Sequence, residues 1–262
     1  DSTANFRMFL RTLANQMWRG TAPGAPMLLC SQLTALLKDS GNGIRPIACG
    51  ELFYRICMRY ILRDQGLNDA LLDIQFGIGS AGGVEPLLAL LQQNIDALQP
   101  GEDRYLYILD LKNAFNLISR IALADGIWAK LPRFWRMMKW AYNKSSPLVL
   151  GTNEHDRRVL SSSSGVRQGD VLAALGFALA CQPTLKALQE TVMNQPRDQM
   201  AGYHDDLILL SDRGDLMEPI VEFFLDPDGP AKRDGLNLSP PKSLCINLRD
   251  VAVDPNGVSC LG

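Results

Sequence analysis

Two adjacent aspartates interrupt an apolar run in the C-terminal third of the chain, within Ala201-Gly-Tyr-His-Asp-Asp-Leu-Ile-Leu-Leu210. The strand-like residues on both sides predict a β-hairpin with Asp205 and Asp206 at its turn. Aspartate is a common turn former, so the pair alone is compatible with an ordinary surface turn. Two buried carboxylates, however, are costly unless a cation neutralises them. If this turn is buried, the sequence therefore indicates a bound cation beside Asp205 and Asp206.

A third carboxylate has a similar setting. Asp110 ends the apolar run Tyr105-Leu-Tyr-Ile-Leu109, which predicts a strand. Mg²⁺ takes oxygen ligands, typically one or two carboxylates together with substrate phosphates. Two such ions about 4 Å apart would activate an attacking hydroxyl and stabilise a leaving oxygen. We expect Asp110, Asp205 and Asp206 to converge on such a site, although they are far apart in sequence.

Hydrophobic periodicity and turn residues predict the other elements. Helices are expected over residues 5–18, 27–37, 51–63, 84–98, 118–130, 132–142, 170–190 and 215–225, the seventh of them capped by Asp170. Strands are expected over residues 44–48, 148–151, 158–161, 243–248 and 251–253, the second and third of them forming a hairpin, and a further hairpin is expected over residues 200–211. Helices mixed with short hairpin strands predict an α+β fold.

Composition restricts the class of protein. The chain has 262 residues, 47% of them hydrophobic and 21% charged, which suits one large globular domain or two small ones. No apolar run approaches the roughly 18 residues of a membrane span, so we expect no membrane partner. Six cysteines without a C-x-x-C pair predict reduced thiols and an intracellular location, in the nucleus or the cytoplasm. The formal net charge of −2 predicts that much of any nucleic-acid affinity lies in other parts of a longer protein.

Five motifs in a fixed order resemble those of reverse transcriptases. Residues 105–116 resemble motif A, with a strand, a metal-binding Asp and an aromatic residue five positions later. Residues 164–180 resemble motif B, Tyr203-His-Asp-Asp206 resembles motif C, residues 235–243 resemble motif D, and residues 260–262 resemble the start of motif E. Upstream, residues 37–47 match the finger pattern of a Lys, a glycine and Arg-Pro-Ile, and residues 75–85 match a glycine-bearing finger segment.

The resemblance covers residues 5–262 and is closest to the retroelement enzymes, non-LTR retrotransposon enzymes in particular. It implies a right-hand polymerase fold with helical fingers and an antiparallel-sheet palm, the thumb being absent. We expect residues 1–98 to form the first part of the fingers and residues 99–118 to form the palm around motif A. Residues 119–164 would connect fingers and palm, and residues 165–262 would complete the palm. His204 departs from the family pattern, which usually has a small or aliphatic residue at this position.

The resemblance also implies a role for each site residue. Asp110 would bind both metals, assisted by the backbone carbonyl of Leu111, and Asp205 would complete the site with Asp206 in a lesser role. The metals would be two Mg²⁺ ions, with Mn²⁺ as a substitute. Further residues would contact the incoming dNTP or its pyrophosphate: Lys38, Arg45, Phe115, Gln168, Gly169 and Lys242.

Their individual roles differ. Phe115 would pack under the sugar and exclude a 2′-hydroxyl, although its position also suits a core residue. Gln168 would lie near the same sugar, unless it only caps a turn, and Gly169 would allow close backbone approach. Lys38 and Arg45 would reach the triphosphate, unless they are solvated surface charges. Lys242 would supply a proton to the departing pyrophosphate.

The motifs therefore predict an RNA-directed DNA polymerase that adds dNTPs to a primer 3′-hydroxyl by two-metal nucleotidyl transfer. Its partners would be an RNA template, a DNA primer, and the thumb and other domains of a longer polyprotein. Two alternatives are an RNA-dependent RNA polymerase, which shares the palm carboxylates, and an inactive polymerase-like scaffold. Phe115 argues against the first, because ribonucleotides need a small residue there. The retained carboxylates argue against the second.

Overall fold

The computed structural model describes residues 2–38, 43–63, 66–78, 82, 84–151 and 155–252. The α-helices are α1 (Ser2–Arg19), α2 (Ala25–Leu28), α3 (Leu52–Leu62), α4 (Val84–Asp96), α5 (Ala114–Leu117), α6 (Arg120–Lys130), α7 (Trp135–Tyr142), α8 (Ala173–Thr191), α9 (Met217–Leu225), α10 (Pro230–Asp234) and α11 (Leu248–Ala252). Short 3₁₀ helices cover Leu67–Ala70, Pro132–Phe134 and Pro240–Lys242.

The strands are β1 (Ser31–Leu37), β2 (Ile44–Gly50), β3 (Tyr105–Asp110), β4 (Ser146–Leu150), β5 (Arg158–Ser162), β6 (Gln199–Tyr203), β7 (Asp206–Ser211) and β8 (Leu244–Asn247). They form two four-stranded sheets, one in each of two compact units. Unit 1 contains the described residues up to 70 together with 115–180, and unit 2 contains those of 71–114 and from 181 onward. The mixed helix and sheet content confirms the expected α+β character.

Unit 1 combines a sheet of order β2-β1-β4-β5 with a group of helices. Strand β1 pairs antiparallel with β2 and parallel with β4, and the latter pairing requires a long crossover between them. Helix α1 packs on α3 and α7 around the fully buried Met17, Tyr54, Met58 and Phe134. Gly126 allows α6 to approach α8 closely, because a Cβ at this position would lie 2.4 Å from the carbonyl oxygen of Leu179.

Unit 2 is built on an antiparallel sheet of order β6-β7-β3-β8. Leu106, Leu210 and Leu248 form a buried cluster, against which apolar side chains of α4 pack. Residues alternate between the faces of a strand, so Asp110 lies on the same face as Leu106 and Ile108. The expected strand over 105–110 and the hairpin over 200–211 are therefore confirmed.

Two predicted elements were wrong. Residues 27–37 were expected to form one helix, but only Ala25–Leu28 are helical and Ser31–Leu37 form β1. Pairing with both β2 and β4 outweighs the local helical pattern, as strand propensity depends strongly on its context. A strand was expected over 251–253, but Leu248–Ala252 form α11, and residue 253 lies outside the described residues. The side chain of Asn247 caps the start of this helix, because its Oδ1 accepts a 3.1 Å hydrogen bond from the N–H of Arg249, and Leu248 is buried in the cluster beneath the sheet.

Of the residues described, none belongs to a helix both long and apolar enough to cross a membrane. The described cysteines, at positions 30, 49, 57, 181 and 245, are all free thiols.

Candidate active site

Asp110 and Asp206 face each other on adjacent strands of unit 2. They are register partners at the ends of β3 and β7, so both side chains project from the same face of the sheet. The N–H and C=O of Asp110 bond to Ser243 and Ser239 and not to β7, so Asp110 and Asp206 form a non-hydrogen-bonded pair. In such pairs the Cα atoms are only about 4.5 Å apart and the side chains approach most closely. Asp110 is half-buried and Asp206 is exposed.

The segment that resembles motif D holds Asp110 from the other side. The N–H of Asp110 donates to Ser243 Oγ at 3.3 Å, and its carbonyl accepts from the N–H of Ser239 at 2.8 Å. Lys242 lies in the same turn, with its N–H donating to the carbonyl of Ser239, and its side chain is exposed. Lys242 thus belongs to the turn whose residues Ser239 and Ser243 hydrogen-bond to the backbone of Asp110. The anchoring role of the Ser243 hydroxyl was not anticipated from the sequence.

The backbone of Leu111 continues this arrangement. Leu111 pairs with Leu238 in an isolated bridge, and the flanking hydrogen bonds are made by the carbonyl of Asp110 and the N–H of Lys112. Backbone groups alternate in direction along an antiparallel ladder. The N–H and C=O of Leu111 therefore point away from Leu238, toward the side of β3 on which β7 and its hairpin lie.

The hairpin turn consists of His204 and Asp205, between the register partners Tyr203 and Asp206. It lies one residue earlier than the expected Asp205 and Asp206, because Asp206 is the first residue of β7 and pairs with Asp110. His204 has a φ of 57°, an uncommon conformation for a residue other than glycine. Its ring meets that of Tyr203 edge-on, with centroids 4.8 Å apart. The imidazole is exposed, so this departure from the family pattern leaves it at the surface of unit 2.

A glycine segment supports this turn. Gln75 forms a parallel bridge with Gly202, through hydrogen bonds of Gly202 with the backbone of Ile74 and Phe76. The chain then passes so close to the turn that a Cβ on Gly77 would lie 2.8 Å from the backbone nitrogen of His204. The glycine-bearing segment 75–85 was recognisable from its sequence, but its contact with the hairpin was not predicted. The only signal was the glycine content itself.

Asp205 lies near the buried thiol of Cys181 on α8. Burial raises the pKa of Cys181, and the negative charges of Asp234 and Asp205 raise it further. The half-buried Asp205 is therefore close enough to influence this thiol. Within the described residues, no three His, Cys, Asp or Glu side chains are grouped so as to hold a metal ion by themselves.

Of the residues expected to contact the nucleotide, Lys242 lies in unit 2 and all the others lie in unit 1. The half-buried ring of Phe115 stacks on Phe177, with centroids 4.6 Å apart and planes inclined by 18°. The carbonyl of Phe115 accepts a hydrogen bond of 2.7 Å from the N–H of Val166. Phe115 is thus fixed both by its ring and by its backbone, next to the motif B loop.

Gln168 and Gly169 form the tip of that loop. The carbonyl of Gln168 accepts from the N–H of Ala48 at 2.7 Å, so the loop lies along the outer edge of β2. Gly169 has a φ of 101°, and a Cβ there would lie 3.1 Å from both the carbonyl oxygen of Ala48 and Cγ2 of Ile47. A glycine is required here for conformation and for space.

Lys38 and Arg45 lie at the end of the β1–β2 hairpin where the two strands are connected. The N–H of Lys38 donates to the carbonyl of Gly43, and the exposed Arg45 pairs with Leu36. Arg45 is three residues from Ala48 along β2, or about 10 Å. Strand β2 therefore places Arg45 and the Gln168 loop along one edge of unit 1.

Comparison with known proteins defines the class. Similar solved structures are telomerases: an apo telomerase from Candida tropicalis truncated from the C-terminal domain (14% identity, 85% of this chain and 51% of that chain, TM-score 0.58) and the telomerase from Candida albicans in complex with the TWJ fragment of telomeric RNA (10% identity, 83% and 43%, TM-score 0.60). The chain thus shares its fold with these telomerases.

The sequence family described as reverse transcriptase (RNA-dependent DNA polymerase) matches residues 37–252, most of the chain. The chain belongs to the reverse transcriptase family, the RNA-directed DNA polymerases. It is also 29% identical over 187 residues to the retrotransposable element SLACS 132 kDa protein of Trypanosoma brucei gambiense, a match covering 69% of this chain. The expected resemblance to a retroelement enzyme is confirmed. The match spans only 15% of that relative, and the chain covers about half or less of the telomerases.

Proposed function

We propose that this chain is the fingers and palm of a retroelement reverse transcriptase of the non-LTR type, which adds dNTPs to a primer 3′-hydroxyl by two-metal nucleotidyl transfer. The observation that carries the proposal is the register pairing of Asp110 with Asp206 at the end of the unit 2 sheet. The pairing places two carboxylates side by side at the strand ends, which is the kind of oxygen-donor set that Mg²⁺ takes. The family match supports DNA synthesis, as opposed to the RNA polymerase alternative.

The oxygen donors in unit 2 suit Mg²⁺. It is usually held by one or two carboxylates together with substrate phosphates, so a fully formed protein cage is not needed. Asp110, Asp206, Asp205 and the carbonyl of Leu111 would hold two ions, with Mn²⁺ as a substitute. When bound, the ions would activate the primer hydroxyl and stabilise the leaving oxygen. Asp110 would be the central ligand, because both its N–H and its carbonyl are held by the motif D segment, through Ser243 and Ser239.

The other site residues would position the nucleotide. Phe115, held by its stack on Phe177, would exclude a 2′-hydroxyl. Gln168 and Gly169 would meet the sugar, and Lys38 and Arg45 would bind the triphosphate. The exposed Lys242 would protonate the departing pyrophosphate.

The partners follow from the reaction and from the length of the chain. An RNA template and a DNA primer are the substrates of RNA-directed DNA synthesis. Because the chain covers a small part of its retrotransposon relative, we propose that a thumb and other domains of a longer polyprotein complete the enzyme. The formal charge of −2 agrees with a nucleic-acid grip supplied mainly by those parts.

Primer extension tests the proposal. A longer version of the protein that includes a thumb should add dNTPs to a DNA primer on an RNA template in the presence of Mg²⁺. Asp110→Ala and Asp205→Ala should abolish synthesis, because water cannot replace the charge of a metal-binding carboxylate. Asp228→Asn, at an exposed aspartate on the same unit, is the control and should retain activity. Undiminished synthesis by the two alanine variants would contradict the two-metal proposal.

A further inference from the structure

A buried polar cluster in unit 1 is not used by the proposed chemistry. It consists of Tyr54 on α3, Tyr142 on α7, Ser146 on β4, and Arg167 and Asp170 beside the motif B loop. Tyr54 and Tyr142 are 1% and 2% exposed, and the charged pair Arg167 and Asp170 only 4% and 9%. Buried ion pairs are expensive to desolvate, and replacement by apolar residues is often neutral or stabilising. The presence of this cluster therefore calls for a role other than stability.

Asp170 is the centre of the cluster. Its carboxylate accepts hydrogen bonds from the Tyr54 hydroxyl (2.8 and 3.0 Å), the Tyr142 hydroxyl (2.7 Å), the guanidinium of Arg167 (3.1 and 2.5 Å) and the N–H of Leu172 (3.0 Å). Burial, followed by the charge of Asp170, raises the pKa of both Tyr54 and Tyr142 well above the ordinary value. Both phenols therefore remain protonated donors.

Arg167 is held equally firmly. Its Nη1 donates to Ser146 Oγ at 2.6 Å, and its guanidinium lies over the rings of Tyr142 and Tyr54, 4.7 and 5.9 Å from their centroids. Burial acts to lower the pKa of Arg167, but the neighbouring Tyr142 and Asp170 outweigh this effect and raise it. The side chain is thus fixed in position by contacts from β4, α3 and α7.

Arg167 and Asp170 are the first and last residues of one tight turn. The N–H of Asp170 donates to the carbonyl of Arg167 at 2.9 Å, and Gly169 at the third position has a positive φ, as a type II turn requires. The ion pair closes the same turn a second time, through side chains. Only Gln168 and Gly169 lie between these two anchors. The cluster therefore holds both ends of the two-residue segment that carries the Gln168 side chain.

We infer that Tyr54, Tyr142 and Asp170 are positioning residues, which hold the 167–170 turn in the conformation that presents Gln168 and Gly169 to the sugar of the incoming nucleotide. The inference rests on the proposed function, because it assigns a purpose to the two residues expected to meet the nucleotide. The hydroxyls act at a distance: they contact the turn through Asp170 and do not touch the substrate.

Removing the hydroxyls one at a time tests the inference. Tyr54→Phe and Tyr142→Phe keep the rings and delete one donor each. A hydrogen bond to a charged group corresponds to a factor of about 10–100 in an equilibrium constant. We expect KM for the dNTP to rise about tenfold in Tyr142→Phe, with kcat within about twofold of wild type and primer-template Kd unchanged. Asp170→Asn, which weakens every bond in the cluster, should raise KM further.

Tyr107→Phe is the matched control. Tyr107 is fully buried and its hydroxyl also donates a hydrogen bond, of 2.6 Å to the carbonyl of Arg213, but it belongs to unit 2, whereas the 167–170 turn belongs to unit 1. We expect Tyr107→Phe to lower Tm about as much as Tyr142→Phe while leaving KM for the dNTP unchanged. If all three phenylalanine variants lower Tm and none changes KM, the cluster is only structural and the inference is wrong.

Failure of the proposed function gives a different result, namely no synthesis by the wild type. In that case the increase in Tm produced by dNTP with Mg²⁺ still tests the cluster, since binding stabilises the folded state. A smaller increase in Tyr142→Phe than in Tyr107→Phe supports the inference. Equal increases in both variants, or no increase in the wild type, overturn it.

Discussion

Replacement of Gly77 by alanine should disturb the proposed catalytic hairpin from outside it. A Cβ at this position would lie 2.8 Å from the backbone nitrogen of His204 and 3.2 Å from its Nδ1. The first atom is main chain and cannot rotate away, so the hairpin or the 74–77 segment must move. The required shift is about 0.6 Å, the shortfall from ordinary van der Waals contact of about 3.4 Å. The turn that moves carries Asp205.

The size of the effect follows from this shift. Overpacking of this kind costs about 1–3 kcal/mol, which for a chain of this length lowers Tm by about 2–4 °C per kcal/mol. A misplacement of about 1 Å can reduce a rate about 100-fold, so a shift of roughly half that size should lower kcat about tenfold. Single-nucleotide incorporation at saturating dNTP measures kcat, and calorimetry measures Tm.

Gly202→Ala is the matched control for this prediction. Gly202 lies in the same bridge with Gln75, but the nearest atom to an added Cβ, the carbonyl oxygen of Ile74, is 3.8 Å away. We expect kcat and Tm of Gly202→Ala to stay close to wild type. Wild-type kcat and Tm in Gly77→Ala would refute the argument that this contact fixes the hairpin.

Two other predictions concern unit 1. Phe115→Val should raise the ratio of kcat/KM for ribonucleotides to that for deoxynucleotides about 10–100-fold, with a modest loss of deoxynucleotide use, because in the proposed function the ring would block the 2′-hydroxyl; an unchanged ratio in a folded variant would make Phe115 a core residue only. The raised pKa values of Tyr54 and Tyr142 predict a loss of stability on the alkaline side. The two protonated phenols contribute fully to the free energy of unfolding below the pKa of about 10 that tyrosine has in the unfolded chain, and this contribution is lost as the pH rises above that value. Denaturant unfolding measures the free energy of unfolding between about pH 9 and 11. Over this range it should fall less in the double variant Tyr54→Phe/Tyr142→Phe than in wild type. Tyr60→Phe, at a residue 70% exposed, should behave like wild type.

Local pattern was enough to predict much of the fold. The strand β3 is where its apolar run placed it, and β6 and β7 form the expected hairpin, with its turn at His204 and Asp205, one residue earlier than predicted. These elements are predictable because alternation and turn residues act over neighbouring positions only. The order and spacing of the motifs also identified the family, because each motif consists of residues that are close together in the sequence.

Residues 31–37 show where local pattern fails. Their sequence suits a helix, yet they form β1 because β2 and β4 supply partners on both sides. Leu248–Ala252 show the converse, a predicted strand that became helical where Leu248 is buried beneath the sheet. In both segments, contacts with residues distant in sequence outweigh a weak local preference.

The site itself depends on both levels. Sequence determined which residues could act: the carboxylates, Phe115, and the loop with Gln168. Tertiary structure decided that Asp110 faces Asp206, that Ser239 and Ser243 fix the backbone of Asp110, and that Gly77 supports the hairpin turn. It also turned Asp170, predicted only as a helix cap, into the centre of a buried cluster. Register and close approach join residues tens of positions apart, and no pattern within a short stretch of sequence contains that information.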